Sequence, residues 1–204
     1  RSRREVGQLL TQGSVPVIRV RAAIILGTGS ASYELMKAMI VNNRYIPFLS
    51  EFNSRCQPIA IRDVIKYLVG VMETPDLSSC IYQVGCKDIL TYKEMIQSFA
   101  KILNRNVRFI DVSWVPFPVQ WMCRVYACWL HCFIPIPINI TSLLLNSLET
   151  DVICTNNDVV SILPFEPLDF KTSVKWAQEK EQKSMVFSHW SDVRPAGMEN
   201  LLPI

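Results

Sequence analysis

The chain has 204 residues, of which 50% are hydrophobic, 19% charged and 10% aromatic. This composition supplies enough apolar side chains for a packed core and excludes an intrinsically disordered chain. The 21 Lys and Arg residues are interspersed with 18 acidic residues, for a net charge of +3. No basic stripe therefore predicts a nucleic-acid partner. At roughly 150 residues per domain, the length predicts one domain or one and a half.

Both ends of the sequence predict that the chain is a piece of a longer protein. The first residue is Arg1, and a helical pattern already covers 3–10. No apolar segment typical of a signal peptide comes before Val15. Residues 184–204 have no obvious closing element, and we expect a tail or the start of a further, truncated domain.

The cysteines indicate a reducing compartment and no metal site. The chain has seven of them, an odd number without a C-x-x-C pair, which is typical of free thiols. We therefore expect a cytoplasmic protein. Cys128, His131 and Cys132 lie close in sequence, but structural zinc needs four ligands, and the other histidine, His189, is far away.

One apolar segment raises the alternative of a membrane-surface protein. The residues from Val125 to Leu148 include no Asp, Glu, Lys or Arg, and about 20 apolar residues can span a bilayer. Pro135 and Pro137 interrupt the segment, and proline breaks a helix. We predict two helices joined by a turn, with contact to a membrane surface left open.

The first half of the chain has a pattern of strands and helices. The apolar run over 15–26 predicts a buried parallel strand, followed by a tight loop at Gly27-Thr28-Gly29. Ser30 or Ser32 is expected to cap the next helix. The inner face of that helix is expected to comprise Leu35, Met36, Met39 and Ile40.

Further strands and helices alternate along the chain. A strand is predicted over 57–61, and then a helix that Asp63 caps. The buried face of that helix is expected to comprise Val64, Ile65, Leu68, Val69 and Met72. Strands over 80–84 and 107–112 flank a helix that begins at a capping box, Thr91-x-x-Glu94. A solvated amphipathic helix is expected over 170–183. This alternation predicts an α/β fold with a mostly parallel sheet.

The glycine loop has two interpretations. Gly27 and Gly29 follow a strand and precede a helix, as in the first turn of a dinucleotide-binding fold. However, Ser32 occupies the third glycine position, and the acidic residue expected about 20 positions later could only be Glu51. Alternatively, the two glycines simply permit a turn with positive φ.

The order of the segments resembles the C-terminal half of an extended or atypical short-chain dehydrogenase/reductase. These are the NmrA-like and nucleoside-diphosphate-sugar epimerase-like proteins. The resemblance is carried by 16–27, 57–64, 82–85, 90–94, 134–137 and 163–165. It implies a partial Rossmann-type parallel sheet with interleaved substrate-lobe elements over 1–112, and a mainly helical substrate lobe over 113–183. It also implies that the Gly-rich pyrophosphate loop lies before Arg1.

The resemblance further implies site residues. The full-length protein would bind NAD or NADP, and the nicotinamide end would lie against Ala22, Ala23, Ile24 and Gly27. The residues expected to face an unknown small-molecule substrate are Thr28, Ser30, Tyr33, Gln57 and Arg62. Arg3 stands at or beside the lysine of the family's Tyr-x-x-x-Lys motif, whose tyrosine would precede residue 1.

The implied function is that of an NAD(P)-dependent oxidoreductase or epimerase-like enzyme. An arginine in place of the motif's lysine differs from it in reach and hydration. That departure favours a second interpretation, a non-catalytic NAD(P)-binding redox sensor or assembly factor. A peripheral membrane protein is the third.

Overall fold

The computed structural model describes residues 2–48, 53–74, 80–112, 121, 124–125, 128, 150–156 and 158–183. Glu51, the predicted turn at Pro135 and Pro137, the Cys128 neighbours His131 and Cys132, and the tail over 184–204 lie outside the described residues. Much of the predicted helical lobe over 113–183 lies outside them as well, mainly within 113–149, so the domain boundaries remain predictions.

The described residues form short strands that alternate with helices. The strands are β1 (Ile18–Ala22), β2 (Ile25–Leu26), β3 (Tyr45–Phe48), β4 (Arg55–Cys56), β5 (Ile59–Ala60), β6 (Cys80–Val84), β7 (Leu90–Thr91) and β8 (Arg108–Asp111). The helices are α1 (Ser2–Thr11), α2 (Ala31–Val41), α3 (Ile61–Glu73), α4 (Tyr92–Ile102), α5 (Asp158–Ile162) and α6 (Phe170–Gln182).

Strand pairing is mainly parallel. In the described part, β1 pairs with β6, β2 with β5 and β3 with β8, all in parallel, whereas β4 and β7 are antiparallel. Ile18 lies opposite Cys80, and Ala22 lies opposite Val84 at the carboxyl ends of β1 and β6. Helix α3 connects β5 to β6. The predicted α/β fold with a partial Rossmann-type parallel sheet is confirmed.

The apolar run over 15–26 is two strands, and the prediction of one buried strand was wrong. Ala22 ends β1 beside β6, and Ile25 begins β2 beside β5. The run also contributes to two cores. Val20, Ala22 and Ile25 pack against a cluster around α3, while Ala23 and Ile24 pack against a cluster around α2 and α4.

Helices α2 and α4 match the predictions. All four residues expected on the inner face of α2 are buried. Thr91 caps α4: its hydroxyl accepts a hydrogen bond from the Glu94 N–H at 3.2 Å, and the Glu94 carboxylate accepts one from the Thr91 N–H at 2.8 Å. This reciprocal pair is the predicted capping box.

Helix α3 begins at Ile61 and buries a different face from the predicted one. Its buried residues are Asp63, Val64, Tyr67 and Val71. The residues wrongly predicted to be buried are exposed by 45% or more: Ile65, Leu68, Val69 and Met72. Residues recur at helical spacing on two faces of α3. The buried face includes the carboxylate of Asp63 and the phenol of Tyr67, which a count of apolar residues does not include.

Within the described residues, no helix has both the length and the apolar content needed to cross a bilayer. No group of three or more His, Cys, Asp and Glu side chains in that part is arranged to hold a metal ion. The described cysteines are free thiols, of which Cys56 and Cys86 are buried and Cys128 is exposed.

Candidate cofactor and substrate site

A tight turn joins β2 to α2 at the carboxyl end of the strand. The Ser30 N–H donates to the Gly27 carbonyl at 3.1 Å. Gly29, the third residue of this turn, has a φ of 78°, which is the region that favours glycine. Ser30 caps α2, since its hydroxyl accepts from the Tyr33 N–H at 3.3 Å. Of the two predicted caps, Ser30 is the one observed, and of the two glycines predicted to permit positive φ, Gly29 has it and Gly27 does not.

Gly27 is required by close packing. It is buried, and a Cβ placed on it would lie 2.8 Å from Cγ2 of Ile61, the first residue of α3. The space that a side chain would take at this position is therefore occupied by Ile61. The assignment of Gly27 to the cofactor stays a prediction, and this contact supports a packing role.

Helix α6 covers the turn between β2 and α2. The Thr28 hydroxyl donates to the Ala177 carbonyl at 2.9 Å, and the Tyr33 hydroxyl donates to the Glu181 carboxylate at 3.2 Å. Tyr33 is completely buried, and its ring lies 5.2 Å from that of Phe99. Thr28 and Tyr33 remain predicted substrate residues, although both make contacts that stabilise the fold.

Gln57 ties together three segments near the carboxyl end of β6. Its side-chain amide donates to the Cys86 carbonyl at 2.5 Å and accepts from the Cys154 N–H at 2.9 Å. A Cβ on Gly85 would lie 2.7 Å from its Cγ. Gln57 therefore holds the loop after β6 in place, and its contact with substrate stays a prediction.

Arg62 lies near the start of α3. Its guanidinium carbon is 4.4 Å from the centre of the Trp176 ring on α6, a distance typical of a cation–π contact. The guanidinium is exposed and lies against this indole ring, and the expected contact of Arg62 with a substrate stays a prediction.

Asp63 does not cap α3 as predicted; Ala60 holds the cap position. The Asp63 carboxylate is fully buried, accepts the Leu168 N–H at 2.8 Å and pairs with Lys66 at 3.3 Å. It therefore fastens the segment before α6 to the first turn of α3, where the helix dipole also favours an anion.

The segment Ala22-Ala23-Ile24 lies at the carboxyl end of β1. All three residues are half-buried. The Ile24 carbonyl accepts the Ile59 N–H at 2.8 Å, which fixes the backbone between the two strand pairs. Small side chains such as those of Ala22 and Ala23 leave the backbone open to a ligand at the carboxyl edge of a parallel sheet, and the assignment of this segment to the nicotinamide stays a prediction.

The buried phenols and thiols are poor proton-transfer groups at neutral pH. Burial raises the pKa of Cys56 to about 12 and that of Cys86 to about 11. Burial, then the neighbouring Glu181, raises the pKa of Tyr33, and burial raises that of Tyr92. These groups stay protonated through the physiological range. Arg3 belongs to α1, and its assignment remains a prediction.

The role of α6 was missed by the sequence reasoning, which treated it as solvated. Phe170, Val174 and Ala177 are buried in the same core as α2 and α4. Their spacing of four and three residues was the available signal. Glu181 on this helix also pairs with Lys37 of α2, so α6 fastens the turn and its helix together.

The comparisons connect this fold to known enzymes. No protein-family model and no curated protein matches the sequence. A nucleoside-diphosphate-sugar epimerase from Staphylococcus aureus has a TM-score of 0.61 at 12% identity, covering 84% of this chain and 56% of its own. Triphenylmethane reductase from Citrobacter has the same TM-score and coverage at 13% identity.

A third solved structure contains ligands. The Bordetella bronchiseptica enzyme WbmG, in complex with NAD and UDP, has a TM-score of 0.55 at 10% identity, with 86% of this chain and 46% of WbmG covered. The chain thus spans about half the length of the solved chains it matches. By fold, it is similar to part of a nucleoside-diphosphate-sugar epimerase and of a triphenylmethane reductase.

Proposed function

We propose that the natural full-length protein is an NAD(P)-dependent oxidoreductase or epimerase-like enzyme, and that Ala22-Ala23-Ile24 borders its nicotinamide. The observation that carries this proposal is the half-buried, small-residue carboxyl end of β1. Open α/β sheets bind ligands in the crevice beyond the carboxyl ends of their strands. The likeness in fold to an enzyme solved with NAD and UDP supports the proposal.

The residues of this edge would bind and orient the cofactor. Ala22 and Ala23 carry single methyl groups, and Ile24 adds an apolar surface that would exclude water. When bound, the nicotinamide would supply the hydride chemistry. Because burial raises the pKa of Tyr33, Tyr92, Cys56 and Cys86, we assign the proton transfer to the motif's tyrosine, expected before residue 1, with Arg3 beside it.

The substrate is proposed to bind beside Arg62. Its guanidinium is exposed beside Trp176 at the start of α3, and N–H groups at its edge suit a carboxylate or a phosphate. Thr28, Ser30 and Gln57 are proposed to line the same mouth, where their hydrogen bonds to the protein would keep the wall rigid, and the buried Tyr33 is proposed to support this wall from the core. A nucleotide sugar, the substrate type of the epimerases that share the fold, would present a diphosphate to Arg62.

Titration of NADH and NADPH fluorescence against the natural full-length protein tests the cofactor site. Ala23→Leu should weaken binding by about tenfold or more, roughly 1.4 kcal/mol, because the larger side chain would fill the space proposed for the ring. Ala38→Leu is the matched control, since Ala38 is also half-buried and packs against the same core. Equal effects of the two substitutions would contradict the proposed position.

Two further outcomes test other parts of the proposal. The 204-residue chain alone should bind either cofactor only weakly, because the pyrophosphate loop is expected before Arg1. Tight binding by this chain would contradict that expectation. A full-length protein that binds cofactor but turns over no carbonyl or nucleotide-sugar substrate would refute the enzyme and favour a sensor.

A further inference from the structure

A basic groove lies between α4 and α6. It has a volume of about 500 Å³. Its lining residues are Ser98, Lys101, Ile102, Lys171, Lys175 and Gln178. Half of them are lysines, none is acidic, and none belongs to the candidate cofactor and substrate site. The groove therefore presents three ammonium groups on a separate surface.

The three lysines of the groove have no carboxylate partner in the described part of the chain. The ion pairs there involve other cations: Lys37, Arg55, Lys66 and Lys87. Lys101, Lys171 and Lys175 are exposed at the surface. Their positive charges are thus available to a ligand.

Two lysines of the groove lie on one face of α6. Lys171 and Lys175 are four residues apart, so that their like charges repel. The positive end of the helix itself already has acidic partners, because Asp169 holds the N-cap position and the Asp88 carboxylate accepts the Phe170 N–H at 2.9 Å. A bound anion in the groove would relieve the repulsion between the two lysines.

We propose that this groove binds a small molecule that carries two or more phosphate groups. Lysine ammonium groups bind phosphate as point charges, and three of them match a multivalent anion better than a single carboxylate. The Ser98 hydroxyl and the Gln178 amide supply further hydrogen-bond donors. Ile102 offers an apolar wall to the rest of the ligand.

Isothermal titration of inorganic tripolyphosphate into the 204-residue chain tests the proposal. The variant K101Q/K171Q/K175Q should bind at least about tenfold more weakly than the unsubstituted chain. The matched control K87Q/K180Q/K183Q also removes three positive charges, but from positions outside the groove. Its affinity should stay within about threefold of that of the unsubstituted chain. Thermal melting confirms that each variant is folded.

Residue-specific information comes from amide chemical shifts of labelled protein. Tripolyphosphate should shift the amides of 98–102 and 171–178 and leave those of the Gly27–Ser30 turn in place. Equal weakening by the two triple substitutions would show attraction to net charge alone and would overturn the proposal. A lack of saturable binding at tripolyphosphate concentrations up to about 1 mM would also overturn the proposal.

Discussion

Replacing Gly27 with alanine tests why a glycine directly follows β2. The added Cβ would lie 2.8 Å from Cγ2 and 3.2 Å from Cβ of Ile61, whereas packed carbon atoms lie about 3.5–4.0 Å apart. Overpacking of this kind costs about 1–3 kcal/mol, and the lower backbone entropy of unfolded alanine offsets about 0.4–1 kcal/mol. We therefore expect Gly27→Ala to lower the free energy of unfolding by about 1–2 kcal/mol.

A double-mutant cycle identifies the contact responsible. Ile61→Ala removes Cγ2 and should recover about 1 kcal/mol of the loss caused by Gly27→Ala. Ile61→Val is the control, because valine retains a Cγ2 methyl group and should give little recovery. The free energies come from urea unfolding followed by tryptophan fluorescence. An equal loss from Gly27→Ala in all three backgrounds would refute the packing explanation.

Three other substitutions test separate features. Asp63→Asn removes the buried charge that holds the Leu168 N–H and should destabilise the fold by about 1–2 kcal/mol in urea unfolding; a change near zero would refute the anchoring role. Thr91→Ala breaks the capping box and should cost about 1 kcal/mol; a neutral result would contradict it. The Cys86 pKa is raised by burial from 9.0 to about 11, so the unfolded thiol ionises first and stability should fall as pH rises from 9 to 11. Cys86→Ala should make this fall shallower, and an unchanged slope would contradict the shift.

Local signals allowed two helices to be predicted well. Ser30 and Thr91 cap α2 and α4 through hydrogen bonds to N–H groups three residues later, so the sequence within one turn determines where these helices start. The inner face of α2 followed from apolar spacing alone. The resemblance to a family predicted the fold class, because order and spacing of segments reflect topology.

The pairing of the strands and the buried face of α3 could not be predicted from local sequence patterns. The split between β1 and β2 depends on β6 and β5, which lie at least 33 positions later in the chain. The buried face of α3 depends on Asp63 and Tyr67, whose burial is decided by long-range partners such as Leu168. An apolar count favours the opposite face, where Met72 is 84% exposed.

The turn at the candidate site could be predicted from the sequence, but the long-range contacts of its residues could not. The turn at Gly27–Ser30 was found from its glycines and serine, but the hydrogen bond from Thr28 to Ala177 spans 149 positions. Likewise, the stacking of Arg62 on Trp176 depends on where α6 docks. Such contacts between distant segments have no signature in spacing.

The most direct test of the proposed function is a crystal structure of the natural full-length protein with NADPH bound. We expect the nicotinamide ring to lie in van der Waals contact with Ala22, Ala23 or Ile24 at the carboxyl end of β1. A ring bound elsewhere, with this edge of the sheet covered by protein, would contradict the proposal.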